Sequence, residues 1–430
     1  MKKNTRTDFD VIIVGGGLVG ASLACALASA KLDIALKIAV IESYPFDDKQ
    51  QPSFDSRTVA LSYSSKEIFN SLGVWSEIEK LGACAIKEIH ISDKGHMGLS
   101  HLRASEQATE ALGYVVENQY IGSVLHNKIS EYENIQLFCP ATLTKFENKN
   151  DYVEVEIAVN DDTQLVENIS LNAKLLVAAD GGQSVVREQA DVKTRELAYN
   201  QTAIITNIAC DQAHKNIAYE RFTDSGPLAL LPLKDSENNK NANIENRYSL
   251  VWTLKNNQVE AYQALNDDEF LAALQQRFGH RAGTFIKTGK RVSYPLSLVR
   301  AKESVRERLA IIGNAAHTLH PVAGQGFNLG LRDVASLAQI IVDAQQQQND
   351  FGDAYYLKMY AAWRKRDLLQ TSMSTDGLVR LFTTNFLPLV VARNMALLAF
   401  DMMPRLKKHV GRQAMGFVGK VSRLARGLPL

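Results

Sequence analysis

Three short runs of β-branched and small apolar residues stand out along the chain, each ending abruptly in glycine or aspartate. The first is Asp10-Val11-Ile12-Ile13-Val14, followed by Gly15-Gly16-Gly17-Leu18-Val19-Gly20 and then a helical face of Leu23, Ala24, Leu27 and Ala28. The second is Leu175-Leu176-Val177-Ala178-Ala179, running into Asp180-Gly181-Gly182-Gln183-Ser184, with Val185-Val186-Arg187 opening a helix. The third is Leu309-Ala310-Ile311-Ile312, leading through Gly313-Asn314-Ala315-Ala316-His317 and His320-Pro321-Val322-Ala323-Gly324-Gln325-Gly326-Phe327-Asn328 to a helix. That helix carries Leu331, Val334, Leu337, Ala338 and Ile341 at helical spacing. Unbroken apolar runs of this length are what a parallel strand buried on both faces requires. Between these runs the pattern changes. An Ile89-His90-Ile91 strand lies in an insertion over 74–112. Alternating stretches at Ala203–Ile208 and Tyr248–Trp252 lie in another over 194–300, which predicts a mostly antiparallel sheet. Ser236–Asn246 reads as an extended hairpin loop, Gln345–Gln348 as the frayed end of a helix, and the chain from Phe351 onward as helical.

A strand, a G-x-G-x-x-G turn and a helix in succession form a dinucleotide cradle. Gly15 allows the tight turn, Gly17 lets the backbone approach a pyrophosphate, and Gly20 lets helix and strand pack closely. The helix N-terminus offers free N–H groups to the phosphates. A second strand, Lys37 to Ile41, ends at Glu42, where an acid can accept from a ribose hydroxyl and favours a 2′-hydroxyl over a 2′-phosphate. One cradle alone does not separate NAD from FAD; the two later motifs favour FAD, because a plain NAD dehydrogenase has no use for them.

Composition narrows the class. The 430 residues carry 46% hydrophobic and 22% charged residues and a net charge of +1, which disfavours a nucleic-acid-binding role. Four scattered cysteines form no metal-ligand spacing or disulfide framework, and the nine histidines form no metal cluster, so no metal and a reduced cytoplasmic compartment are expected. His317 and His320 are expected to make loop hydrogen bonds. No G-x-S-x-G is present, so serine-hydrolase chemistry has no support. Lys2, Lys3 and Arg6 precede an apolar stretch, yet Asp8, Asp10 and the glycine triplet argue against an export signal. No apolar run is long enough to span a bilayer. From Arg393 onward eight basic residues face one acid, Asp401, a net of +7 among apolar residues from Leu387 to Phe400. Two readings follow: a packed helix with a solvated basic end, or a peripheral contact with an anionic membrane or a partner.

The three motifs together resemble those of the class A flavoprotein monooxygenases, the p-hydroxybenzoate hydroxylase-like group. Phe54-Asp55-Ser56-Arg57-Thr58-Val59-Ala60-Leu61 and the run from Gly313 to Asp333 are similar to the ubiquinone-biosynthesis hydroxylases. Ile91–His96, Glu220–Thr223 and Gly226–Ala229 are most similar to the 2-octaprenyl-6-methoxyphenol hydroxylases among them. The resemblance implies an α/β fold: a discontinuous Rossmann-like FAD-binding domain (1–73, 113–193, 301–345), an interleaved, mostly antiparallel substrate domain (74–112, 194–300) and a helical C-terminal region (346–430). It implies FAD, with NAD(P)H as transient reductant, and O2 delivered to the ring of a polyprenyl phenol through a C4a-hydroperoxide. The expected cofactor residues are Gly15, Gly17, Gly20, Glu42, Arg57, Asn118, Asp180, Gly181, Gly313, Asn314, Gly324, Gly326, Phe327 and Asn328. Where the wider family has Asp, this chain has Asn314, which still accepts a hydrogen bond but lacks the charge. Pro321 and Gly324 are expected at the flavin face, and Tyr219 and Tyr294 beside the substrate, each tyrosine having a core role as its alternative; no catalytic acid or base is assigned. The sibling hydroxylase of another ring position, an isoprenoid reductase and a non-catalytic FAD-stabilised scaffold remain as rival readings. Partners implied are the phenol, O2, a biosynthetic complex and the inner face of the cytoplasmic membrane.

Overall fold

The computed structural model describes residues 8–45, 57–160, 166–234, 246–318, 325–384 and 386–430. The first apolar run forms the strand Phe9–Val14 at the middle of a parallel core. Val166–Ala178 pairs with it on one side and Ile38–Ile41 on the other. Leu309–Ile311 and Ile135–Phe138 extend the core outward. Val11, Ile12 and Ile13 are fully buried, because helices cover one sheet face and an antiparallel pair, Ala141–Asn148 with Val153–Asn160, branches from the other side. The helices Leu18–Ala28 and Gln325–Gln346 pack together over the sheet, with Leu23, Leu27, Leu331, Val334 and Ile341 in one core. The parallel arrangement puts the carboxyl ends of Phe9–Val14, Val166–Ala178 and Leu309–Ile311 on one edge, so the three glycine- or aspartate-bearing turns emerge side by side, with Glu42 at the end of Ile38–Ile41 beside them.

The alternating segments build the second sheet. Its order is His317–Thr318, Val292–Ala301, Thr194–Cys210, Arg247–Lys255, Gly226–Leu233, Ile217–Thr223, Glu88–Asp93 and Leu99–Arg103, with Phe285–Thr288 also on Thr194–Cys210. All neighbours are antiparallel except Ile217–Thr223 with Glu88–Asp93. One face packs Ile204, Leu228, Leu230, Tyr248, Leu250 and Trp252 under the helices Asn256–Ala264 and Asp267–Phe278. The latter helix starts with a capping box, Asn266 and Glu269 each satisfying the other's backbone N–H. The other face meets a three-stranded sheet of Thr58–Ser62, Gly113–Glu117 and Cys84–Ile86, through Ala218, Leu231 and Leu233 against Ile86 and Val115. Within 74–112, Trp75, Ile78 and Ala111 belong to the core of the first sheet. The hairpin loop expected at Ser236–Asn246 lies outside the described residues except for Asn246.

Past Gln346 come the helices Ala354–Thr383, Leu387–Asp401 and Pro404–Ala414. The solvated basic end holds for Arg405, Lys408, Arg412, Lys420 and Arg426, which are exposed, but not for the other three basic residues. Arg393 is buried and bonds Asp93, Lys407 is buried against Glu106 and Asp401, and Arg423 pairs with Asp343. Leu424, Ala425 and Leu430 return to the first core. The apolar residues between the charges carry this segment back, since their burial outweighs leaving it in water.

Candidate active site

The turns at the carboxyl edge enclose a cleft of about 520 Å3. Among the expected residues, Gly15, Gly17, Glu42, Arg57, Asn118, Asp180, Gly181, Asn314 and Phe327 line it, together with Ser43, Tyr44, Thr58, Val59, Leu143 and Ile205. Gly15 has φ +99°, and a Cβ there would stand 2.5 Å from the Ala179 carbonyl oxygen, so the first turn lies directly against the second. Glu42 is held by two backbone donors: Gly16 N–H at 2.6 Å on one oxygen and Tyr44 N–H at 2.9 Å on the other. The acid at the strand end therefore shapes the glycine turn, and its remaining lone pairs face the cleft.

Asp180 is the most exacting position. Its Oδ2 accepts from Val186 N–H at 3.2 Å, whereas its Oδ1 is buried with no partner. Burial pushes the carboxyl up from its usual range, against hydrogen bonds from Ser184 and Val186. Arg187 ties this loop to the third one, donating to the carbonyls of Gly182 and Ala315, each at 2.8 Å. Nothing in the sequence marked Arg187 for that role, because both acceptors are backbone. Ile205 was equally unmarked: it arrives from the second sheet, and only tertiary contact puts it on the cleft wall.

Four expected residues sit off the lining. Gly20 packs under Gly15, and Gly313, at φ +58°, packs on Val19. Gly326 opens the Gln325–Gln346 helix. Asn328 is buried; its Oδ1 accepts from Ser62 N–H and Ser65 Oγ, and its Nδ2 donates to the Ala60 carbonyl. Its side chain thus anchors the helix start to Thr58–Ser62, leaving only backbone to face a ligand. Tyr219 lies on the far face of the second sheet, packed on Tyr248 and Phe278 with its hydroxyl on the Arg281 carbonyl; the substrate role gives way to the core role. Tyr294 is on the near face, where the Arg57 guanidinium stacks 5.0 Å from its ring centre. Pro321, Gly324 and His320 fall outside the described residues. His317 lies in the strand His317–Thr318 and not in a loop, its Nε2 2.7 Å from Asp333 of the Gln325–Gln346 helix. Among the described residues no cluster suits a metal ion.

A model of the FAD-binding domain family matches residues 8–366. The chain belongs to that family, among the ubiquinone-biosynthesis hydroxylases. It is 37% identical over 426 residues to the ubiquinone hydroxylase UbiL of Rhodospirillum rubrum, covering 98% of this chain and 93% of the relative. It is 28% identical to the mitochondrial ubiquinone biosynthesis monooxygenase COQ6 of Homo sapiens, covering 97% and 94%. Among solved structures, p-nitrophenol 4-monooxygenase PnpA from Pseudomonas putida superposes with a TM-score of 0.73 at 17% identity, over 95% of this chain and 98% of that one. These relations make the chain an FAD-dependent monooxygenase of the p-hydroxybenzoate hydroxylase-like fold.

The cleft fits that cofactor on its own geometry. The Leu18–Ala28 helix has no side-chain cap, so its first N–H groups stay available to a pyrophosphate, and the buried Asp180 Oδ1 is an acceptor awaiting a hydroxyl. Asp180→Ala is expected to lower FAD affinity by roughly tenfold or more, the value of one charge-assisted hydrogen bond. Flavin retained through gel filtration is the measurement, and full retention would remove Asp180 from the site.

Proposed function

We propose that this protein hydroxylates the aromatic ring of a polyprenyl phenol in ubiquinone biosynthesis, with 2-polyprenyl-6-methoxyphenol as substrate and NAD(P)H as reductant. The observation that carries the reading is the meeting of the three motif turns with the second sheet, through Ile205 on the cleft wall and Arg57 on Tyr294. Bound in the cleft, FAD would supply the activation of O2. In this reading the first sheet holds the cofactor and the second sheet's near face holds the ring. The residues around them exclude water, which would otherwise divert activated oxygen. Thr58 Oγ1 bonds Ser249 Oγ at 2.7 Å, so the strand that follows the cofactor motif is fixed directly to the sheet that would hold the substrate.

The test is direct. Purified protein should oxidise NAD(P)H with O2 uptake only when a prenylated methoxyphenol is added, and a gene deletion should accumulate the 6-methoxyphenol precursor. Accumulation of a demethoxy-quinone would move the assignment to another ring position. A flavin-loaded protein that phenols never stimulate would be the scaffold.

A greasy substrate also needs a way in from the bilayer. No described helix is long and apolar enough to cross a membrane. The C-terminal helices instead expose Val391, Met395 (65% exposed), Leu398, Met402 (83%) and Leu406, next to the exposed cations Arg405, Lys408 and Arg412. We assign this face to peripheral contact with an anionic bilayer, on the inner side of the cytoplasmic membrane. Charge reversal by Arg405→Glu, Lys408→Glu and Arg412→Glu together should cut binding to phosphatidylglycerol vesicles at least tenfold, at roughly 1 kcal/mol per cation. Removing the segment is a poorer test, because Leu424 and Leu430 are core residues. Unchanged vesicle binding would refute the membrane contact.

A further inference from the structure

One register row crosses five strands of the second sheet on its near face: Ile205, Val251, Ala229, Glu220 and Ile91. All five are half-buried. The parallel rows on either side are closed. Ala218 is sealed by Ile86 and Val115 of the three-stranded sheet. Phe222 stacks on Phe382 of the Ala354–Thr383 helix at 3.8 Å, and Asp93, its register partner, is bonded by Arg393 of the next helix. A half-buried strip, the slot, therefore lies between these two rows, and Ile91 at its far end packs against the cluster of Leu102, Ala104, Leu112 and Met415. It begins at Ile205, which lines the cofactor cleft. It ends at Ile91, whose antiparallel partner Ser100 bonds Asp401 at the base of the exposed C-terminal helices. Three strand spacings separate Ile205 from Glu220, about 14 Å.

Glu220 is the one ionisable group in this row. Its Oε1 is shut off from solvent, and among the described residues no hydrogen-bond partner reaches that oxygen. The buried carboxylates Asp93, Asp333 and Asp367 are each paired with an arginine: Arg393, Arg364 and Arg332 in turn. A buried acceptor without a donor weakens the fold unless a ligand supplies the donor. Apolar floor and lone carboxylate together match a molecule that is greasy along its length and carries one hydroxyl.

We propose that Glu220 receives the phenolic hydroxyl of the substrate and takes up its proton as the ring is attacked. This deepens the hydroxylase reading above and rests on it. The O–H bond breaks, the proton passes to the Glu220 carboxylate, and the electron pair stays on the phenol oxygen, where it enriches the ring toward an electrophilic oxygen. The ring carbon then gives its own proton to water, the C–H electron pair restores the aromatic ring, and the carboxyl returns the first proton to the phenol oxygen, so Glu220 ends as it began.

The environment tunes the group for this task. Burial alone pushes the carboxyl up to about 7, well above an ordinary glutamate, which makes it a stronger base at neutral pH. Among the described side chains, the charges closest by element are Asp93, neutralised by Arg393, and Arg221 with Arg281 on the opposite face; the strand Gly226–Leu233 presents only apolar residues here.

The test compares wild type with Glu220→Gln in the oxidised holoprotein, using 2-prenyl-6-methoxyphenol and its O-methyl ether as probes. The phenol should bind wild type more tightly as pH rises through about 7, because the ionised carboxylate accepts the hydroxyl. The ether should show no such gain, and the Gln variant should bind the phenol with no pH trend. Turnover in the variant should fall about 100-fold, the usual worth of a positioned base. Glu220→Asp should keep the pH-linked binding. The proposal is overturned if wild type and the Gln variant share one pH profile, if phenol and ether respond alike, or if Gln retains wild-type turnover. Loss of flavin from both variants would mark a structural residue and equally overturn it. Should wild type hold FAD yet never couple phenol to NAD(P)H oxidation, the hydroxylase reading fails, while the binding profile still decides whether Glu220 meets the phenol.

Discussion

Gly20→Ala is expected to yield a protein without flavin. The added methyl would stand 1.8 Å from the Gly15 carbonyl oxygen and 3.3 Å from Ile13 Cγ2. Both neighbours are fixed: Gly15 by its hydrogen bond to Ile41 and its packing on Ala179, Ile13 by full burial in the central strand. The Leu18–Ala28 helix would have to lift from the strand, at a penalty of about 1–3 kcal/mol or more, and its N-terminus would leave the position from which it can meet a phosphate. Flavin absorbance per chain and the melting temperature report the two effects. Gly182→Ala is the control, since among the described residues its added methyl would meet only Thr318 Oγ1, at 3.8 Å. Wild-type flavin content in Gly20→Ala would disprove the cradle.

Asp333→Ala is expected to destabilise the fold by about 3–5 kcal/mol, the usual loss when one member of a buried ion pair is removed. Asp333 accepts from His317 Nε2 at 2.7 Å, Arg364 Nε at 2.7 Å and Gly313 N–H at 3.0 Å. Arg364 also meets Asp367, which pairs with Arg332 at 2.6 Å. Burial opposes ionisation of Asp333, but the flanking His317 and Arg364 outweigh it and hold the carboxyl well below its ordinary value. Arg364 sits between two carboxylates and is pushed up, whereas Arg332, which has one carboxylate and the Arg364 charge nearby, is pushed down to about 10 by burial. Because the folded value of Asp333 lies below the unfolded one, its contribution is complete above the ordinary aspartate range and is lost as pH falls below it. The stability gap between wild type and Asp333→Ala, from denaturant titration, should be constant from neutral pH to about 4 and narrow below it. A gap that widens on acidification would refute this electrostatic origin. As Asp333 also holds Gly313 N–H, beside Asn314 of the cleft, the variant should bind FAD less tightly as well.

The cofactor side was legible because it is local. Strand, glycine turn and helix are adjacent in sequence at Gly15–Gly20, and Glu42 follows at the end of the next strand. Close backbone approach demands glycine, and buried parallel strands demand continuous apolar runs. Most of the residues named for the cleft line it for this reason. Asn328 shows the limit: its place was evident, but its side chain serves Ser62, Ser65 and Ala60, partners more than 260 residues away in the chain.

The substrate side was not legible in that way. Alternation in Ile217–Thr223 tells that two faces exist but not which face meets the cofactor, so Tyr219 and Glu220, consecutive in the chain, could not be sorted. The structure sends the tyrosine to a hydrophobic core and the glutamate to the slot, since successive strand residues point to opposite faces. The basic C-terminus likewise read as charge spread along a tail, until burial separated Arg393, Lys407 and Arg423, paired inside, from Arg405, Lys408 and Arg412, left facing solvent. The cradle and its cofactor class follow from local sequence, because residues a few positions apart enforce that geometry. Which face of the second sheet meets the cleft and which charges remain in solvent follow from packing, because burial depends on what lies above each face.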